Sequence, residues 1–344
     1  MAVVYVDDVI FLAKNKNDIK DICDSFTNDG DEFNWEHTAE GTISTFLGID
    51  IKKVTLHGKQ GYQFTQTGLI NKVLKATGMT DCNPAASPTV GNKPVSSNVD
   101  GMPAQERWYY PSIVGMILYL VSNSCSDISF TVHQAARFTH SPKVSHEDAV
   151  LRIVRYLWGT ATDGLIHCPD FDKFSVDCYV DADFAGLWGV ESPDDPISVK
   201  SRTGYVIMVA GCPVTWCSKL QSLISLSTLE SEYIALSHAM RDMIPLKLLV
   251  NEVLTAFKTD LAVQYNIHST VYEDNHGCLR LATTQRMTPL TKHIGTSYHW
   301  FHSHVKNKTV VIVPVKSALQ KADIFTKSLP ITTFKTVRKL LCNW

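Results

Sequence analysis

The chain has 344 residues, 44% of them hydrophobic and 19% charged, with a formal net charge of −2 at pH 7 and a pI near 6.7. A chain of this kind buries a large core spread over two or more domains, which excludes a disordered polymer. It carries no global basic signal, so any contact with nucleic acid has to rest on local patches and metal ions. Nine cysteines without repeated spacing do not make a disulfide framework and fit a reducing compartment. No apolar run reaches the roughly 18 residues of a membrane span, and Asp7 and Asp8 interrupt the apolar start too early for a signal peptide.

The first predicted strand, YVDDVIFLA, holds adjacent carboxylates in an apolar, β-branched run, where they would repel one another and lose hydration. A solvated turn or a divalent cation would each relieve them. A polar helix is expected around Asn17–Asn28, then a hairpin, TFLGIDIKKV and GKQGYQFTQ, closing near His57-Gly58. The helix LINKVLKATGM should stop near Gly78. Residues 81–107, rich in Pro, Ser, Asn and Gly, read as a linker or long surface loop. Two helices with apolar residues at helical spacing, SIVGMILYLVSNS and HEDAVLRIVRYLWGT, flank ISFTVHQAARFTH in a small helical unit.

From residue 171 three strands follow: FSVDCYVDADFAG, TGYVIMVAG and CPVTWCSK. Ser227-x-x-Glu230 is a capping box announcing a helix over 228–254, with a kink expected at Pro245. Strand STVYED, a short helix after Asn275, a helix over 291–306, strand TVVIVPV and a last helix, ALQKADIFTKSL, complete the pattern. Cys212 and Cys217, and the cluster His299, His302 and His304, read as packing and surface residues rather than zinc ligands.

Four acids lie where this region passes between elements or along a helix. Asp181 sits opposite in parity to the apolar Phe174, Val176, Cys178 and Val180; Glu232 is one turn into the capped helix; Asp274 ends a strand; Asp323 begins the last helix. Carboxyl ends of neighbouring strands form a ligand crevice in α/β sheets, and a pair of divalent cations is the known use of such a cluster, for phosphodiester hydrolysis. Each acid alone fits a solvated loop or helix cap equally well, and spacing by itself does not bring them together.

YVDD, FLGI, YPSIVGMILYL, Ala136-Arg137-Phe138, Arg155-Tyr156-Leu157, VDADFAG, SRTGYV, SKLQ, SLSTLESEY, YEDN, TKHI and KADIFTK occur in one order along nearly the whole chain. This ordered set resembles the Pol polyprotein of Ty1/copia-type retrotransposons, from the polymerase palm through connecting helices to the ribonuclease H domain. The resemblance implies an α/β chain: an α+β palm portion and helical connection, then a ribonuclease H-like domain with a five-stranded mixed sheet. The expected units are a partial palm over 1–80, a linker and helical connection over 81–170, the ribonuclease H-like domain over 171–330 and a C-terminal tail over 331–344.

By that resemblance Asp181, Glu232, Asp274 and Asp323 coordinate two Mg²⁺ or Mn²⁺ ions and cut the RNA strand of RNA–DNA hybrids; Asp183 and Glu230 are the nearest rivals. Candidate nucleic-acid contacts are Ser201, Arg202, Lys219, Gln221, Asn275 and Lys292. Asp7 and Asp8 match the polymerase hairpin, but another palm ligand of the family lies upstream of it and only four residues precede Tyr5. The expectation is a vestigial polymerase site with no DNA synthesis. Other Pol or Gag products are the implied protein partners, no membrane is involved, and the implied location is cytoplasmic, in a virus-like particle, or nuclear.

The chain departs from the family pattern at Cys125-Ser126, where Arg-Pro is common before Asp127-Ile128, at Gly295 and at Trp158. Those losses suit a decaying copy. A catalytically silent nucleic-acid-binding or structural remnant, and a polymerase active only with an upstream part, are the alternatives to the hydrolase.

Overall fold

A computed structural model describes residues 1–6, 8–25, 41–89, 91, 94–257, 267–284 and 293–344; Asp7 and Lys292, both singled out by sequence, lie outside the described residues. The chain opens with a hairpin of β1 (Ala2–Tyr5) and β2 (Asp8–Phe11), with Tyr5 paired to Asp8 beside the turn. Helix α1 (Lys16–Ser25) follows, then β3 (Thr45–Phe46), β4 (Ile49–Leu56) and β5 (Lys59–Thr65). The β4–β5 turn falls at His57-Gly58, as the sequence predicts, with φ of 49° and 79°. Two consecutive positive φ angles match the twist of a tight hairpin, and Gly58 adopts its own without strain. Helix α2 (Thr67–Thr77) stops at Gly78, whose left-handed backbone lets its N–H reach the last carbonyls.

The loop after α2 is pinned along its length. Arg155 Nε donates to the Asn83 carbonyl at 2.7 Å, Arg152 Nε to the Ser87 carbonyl at 3.0 Å, and the Ser97 N–H to Glu191 Oε2 at 2.8 Å. Helices α3 (Tyr110–Asn123), α4 (Ser129–Ala136) and α5 (Val144–Gly159) then pack together, and β6 (Leu165–His167) pairs with β5 to complete a four-stranded sheet, β3-β4-β5-β6.

Next come β7 (Ser175–Asp183), β8 (Arg202–Val209), β9 (Cys212–Leu220), α6 (Thr228–Ala256), β10 (His268–Glu273), α7 (His276–Thr284), α8 (His302–Lys306), β11 (Val311–Pro314), α9 (Asp323–Thr326) and α10 (Ile331–Cys342). Their strands form the expected five-stranded mixed sheet in the order β11-β10-β7-β8-β9. Strands β7, β8 and β9 make an antiparallel meander, and β10 and β11 run parallel to β7. The fold is α/β.

Period-two alternation gives this sheet two faces. Val176, Cys178, Val180, Tyr205 and Ile207 pack with Tyr233, Leu236 and Met240 of α6 in one core. Val206 and Met208 belong to a second core shared with α2, α3, α5, α9 and α10. The second core therefore crosses the expected boundaries at 80/81 and 170/171, because the helical unit needs the far face of the sheet to cover its own apolar side.

Helix α6 runs through Pro245 to Ala256, close to the span expected for it. Other expectations change. The single helix expected over 318–329 is a short turn and the four-residue α9, separated by an extended Gln320; its buried side chain donates to the Val180 carbonyl at 2.8 Å and accepts from the Ala322 N–H at 3.2 Å, holding the backbone out of a helix. The 331–344 segment is no tail: α10 buries Phe334, Val337, Leu341 and Cys342 in the second core, and Arg338 Nη1 donates to the Tyr156 hydroxyl at 3.2 Å. Phe334 also meets the Tyr156 ring edge-on, with centroids 5.7 Å apart. Phe334→Ala should cost about 3–5 kcal/mol in urea denaturation, while Ala at the exposed, adjacent Lys335 should change stability by less than about 0.5 kcal/mol.

Candidate metal centre

The centre begins on β7. Asp181 lies opposite Gly204 in the β7–β8 ladder and is almost wholly buried. A Cβ at Gly204 would stand 2.5 Å from Thr326 Cγ2 and 2.9 Å from Phe325 Cβ, so a hydrogen atom there is what lets α9 lie against the strand. That close approach puts the Thr326 hydroxyl on Asp181 Oδ2, to which it donates.

Glu232 comes from the start of α6, whose first turn is fixed as the sequence predicts: the Ser227 hydroxyl accepts from the Glu230 N–H at 3.2 Å. Positions 232, 235, 236 and 239 share a side and are all buried. Asp274 leaves the carboxyl end of β10, which pairs in parallel with β7, and it accepts from the Ser317 hydroxyl at 3.0 Å. Asp181, Glu232 and Asp274 thus meet, with one oxygen of each inside a 4.8 Å span.

Asp323 joins them through a cation. Lys327 Nζ lies 2.9 Å from Asp323 Oδ1 and 3.3 Å from Asp181, one turn further along the chain. Burial disfavours the Lys327 ammonium, yet Asp181 and Asp323 outweigh it and hold its pKa above the ordinary lysine value. Burial, with the Asp181 charge, pushes Asp323 up to about 6.

Glu273, passed over in the sequence reading, is a fifth acid here. It shares the parity of the buried Val271 and is itself fully buried; Oε1 accepts from the Asn275 N–H at 2.9 Å and Oε2 has no hydrogen-bond partner among the described residues. Burial pushes its pKa to about 8, and burial together with Glu273, Asp181 and Asp274 pushes Glu232 well above the usual carboxylate range. Glu232 Oε2 is also buried without a hydrogen-bond partner. Two orphaned carboxylate oxygens among crowded acids form a hard, oxygen-only donor set, and a divalent cation fits it.

Of the rival acids, Glu230 is engaged elsewhere: its Oε2 accepts from the Leu226 N–H at 2.6 Å and lies 3.4 Å from His293 Nε2. Asp183 ends β7 opposite Arg202 and stays beside the centre, where burial and the Asp181 charge push its pKa up to about 6. Three candidate nucleic-acid contacts are corrected, because folding uses them internally. The Ser201 hydroxyl accepts from the Ala185 N–H at 3.3 Å. Arg202 is buried, donates to the Ser218 hydroxyl at 3.1 Å and stacks over Phe130. The Gln221 amide donates to Thr203 Oγ1 and the Ser231 carbonyl at 3.1 and 2.9 Å. Lys219 is exposed at the end of β9, and Asn275 Oδ1 accepts from the Cys278 N–H at 3.0 Å, capping α7. Asp8 is exposed on the opening hairpin. His299 and His302 both hydrogen-bond the Tyr233 hydroxyl, at 2.8 and 2.6 Å.

A carboxyl held at about 8 when folded and near 4.5 when unfolded binds its proton more tightly in the folded state, so its contribution falls as pH rises between those values. Thermal melts in EDTA should therefore show stability draining away from about pH 5 to about pH 8. Glu273→Gln should flatten that slope, and Mg²⁺ should restore stability most at the alkaline end.

Comparison with known proteins fits this picture. The reverse transcriptase (RNA-dependent DNA polymerase) family matches residues 1–91. The chain is 28% identical over 343 residues to the retrovirus-related Pol polyprotein from transposon TNT 1-94 of Nicotiana tabacum, covering 98% of this chain and 24% of that protein. It is 29% identical over 332 residues to the Pol polyprotein from transposon RE1 of Arabidopsis thaliana, covering 96% of this chain and 21% of that one. The chain thus spans less than a quarter of these relatives' length. Among solved structures, LC11-RNase H1 in complex with an RNA/DNA hybrid aligns with 44% of this chain and 94% of its own, at 14% identity and a TM-score of 0.30. At those values the strand order of the sheet, not the alignment, carries the fold. Among the described residues no helix is long and apolar enough to cross a membrane. With its twelve motifs in order and such relatives matching almost end to end, the chain is similar along nearly its whole length to copia-type transposon Pol polyproteins.

Proposed function

We propose that the chain hydrolyses the RNA strand of RNA–DNA hybrids at the carboxylate centre, with Mg²⁺ or Mn²⁺ as cofactor. The observation that carries this reading is the convergence of Asp181, Glu232 and Asp274 within 4.8 Å around a buried Glu232 oxygen that has no hydrogen-bond partner among the described residues. Acids so placed repel one another unless positive charge stands between them. Asp181, Glu232 and Asp274 would hold the divalent cations, with Asp323 completing the set. When bound, such ions polarise a phosphodiester and make water nucleophilic near neutral pH.

The protein's own groups prepare that chemistry. Thr326 fixes the rotation of the Asp181 carboxylate, the backbone N–H of Asn275 holds Glu273, and Gln320 ties the approach to Asp323 against β7. An RNA strand is told from DNA by its 2′-hydroxyls and by duplex shape, without reading sequence. Lys219 and Asn275 are the candidate contacts for that duplex within the described residues, and Lys292 is a third that lies outside them.

The purified full chain should cleave the RNA of a labelled hybrid while leaving DNA duplex intact, need Mg²⁺ or Mn²⁺, and stop with EDTA. Asp181→Asn and Asp274→Asn should each abolish cleavage. Cleavage that survives both substitutions, or a well-folded wild-type chain that leaves the hybrid whole, would overturn the proposal.

A further inference from the structure

The carboxylate centre contains a cation of the chain's own. Lys327 Nζ stands 3.3 Å from each oxygen of Asp181 and 2.9 Å from Asp323 Oδ1. Among the described residues, the oxygens on the other side, from Glu232 and Asp274, are paired with no cation: Asp274 accepts one neutral hydroxyl, Glu232 Oε2 has no hydrogen-bond partner, and Lys327 acts on Glu232 only as a charge beyond ion-pair distance. The Asp181–Asp323 pair is therefore already faced by an ammonium at close range, and the Glu232–Asp274 pair is not.

A Mg²⁺–oxygen bond is about 2.0–2.1 Å, so an ion bridging Asp181 and Asp323 would compete with the ammonium for the same oxygens. Two positive charges cannot share them without strong repulsion. The lysine side chain is 40% exposed and sits on a flexible stem, so it has somewhere to go.

We propose that Lys327 is a tethered counter-ion that makes the centre's two halves unequal. The Glu232–Asp274 side is open to a first divalent cation. The Asp181–Asp323 side admits a second only after the ammonium has swung away. This rests on the hydrolase reading above but concerns the order of loading rather than the reaction. Lys327 is thereby a positioning residue: it keeps Asp181 and Asp323 together before the ions arrive.

Mn²⁺ titration of the full chain by calorimetry tests it. The wild type should bind one ion at least about tenfold more tightly than a second, the size of effect expected from one like charge within a few ångströms. Lys327→Gln should tighten the second ion by about tenfold and bring the two affinities together, whereas Lys327→Arg should keep the wild-type pattern. In EDTA, Lys327→Gln should melt below the wild type, and saturating Mn²⁺ should close the gap. Two equal sites in the wild type would overturn the assignment without any variant. Unequal sites left unchanged by Lys327→Gln would sink the Lys327 assignment while leaving the metal centre standing. Failure of the wild type to bind Mn²⁺ at all would remove both.

Discussion

Everything around the centre answers one difficulty: like charges have been gathered where water is scarce. Five acids, Asp181, Glu232, Glu273, Asp274 and Asp323, come from two strand ends and two helices, and three of them lie within a few ångströms of one another. Isolated carboxylates in such a place would be costly, so they have to be protonated, hydrogen-bonded or faced by positive charge. The molecule uses each remedy: raised affinity for protons at Glu232 and Glu273, a hydroxyl at Asp181, and an ammonium between Asp181 and Asp323. What is left over among the described residues is one oxygen without a hydrogen-bond partner on each of Glu232 and Glu273, a place a divalent cation fits.

The second core explains why so small a cluster needs so much surrounding chain. The sheet that carries Asp181 is covered on one side by α6 and on the other by helices drawn from residues far earlier and far later. Arg202 shows the join: on β8, next to the centre, it is buried against Ser218 and the Phe130 ring of α4. Trp216 of β9 likewise donates its indole N–H to the Val121 carbonyl of α3 at 2.8 Å. The helical unit is thus a wall of the same building rather than a neighbour connected by a corridor.

Much of this was legible in the residues, and the exceptions share a cause. Local chemistry announced itself: a turn at His57-Gly58, a stop at Gly78, a cap at Ser227 and the parity of β7 all follow from a few adjacent positions. Long-range burial did not. Ser201, Arg202 and Gln221 look like surface polar residues in a list of letters, and only the docking of β8, β9 and the start of α6 turns them inward. Gln320 interrupts a good helical pattern because a strand carbonyl 140 residues away takes its amide. Glu273 had a signal that went unused, since it shares the parity of Val271; Lys327 had another, since it stands four residues after Asp323.

The bare backbone at Gly204 has a consequence for how copies of such elements are counted. An inventory that scored only the acids of the centre would take no account of the backbone that brings them together. A side chain at Gly204 would collide with Phe325 and Thr326 and push the α9 segment, with its acid and its lysine, off the strand that bears Asp181. Every scored acid would still be present. A census built on the acids would record a living gene where the geometry is already extinct, and adding this one glycine to the score would separate the two.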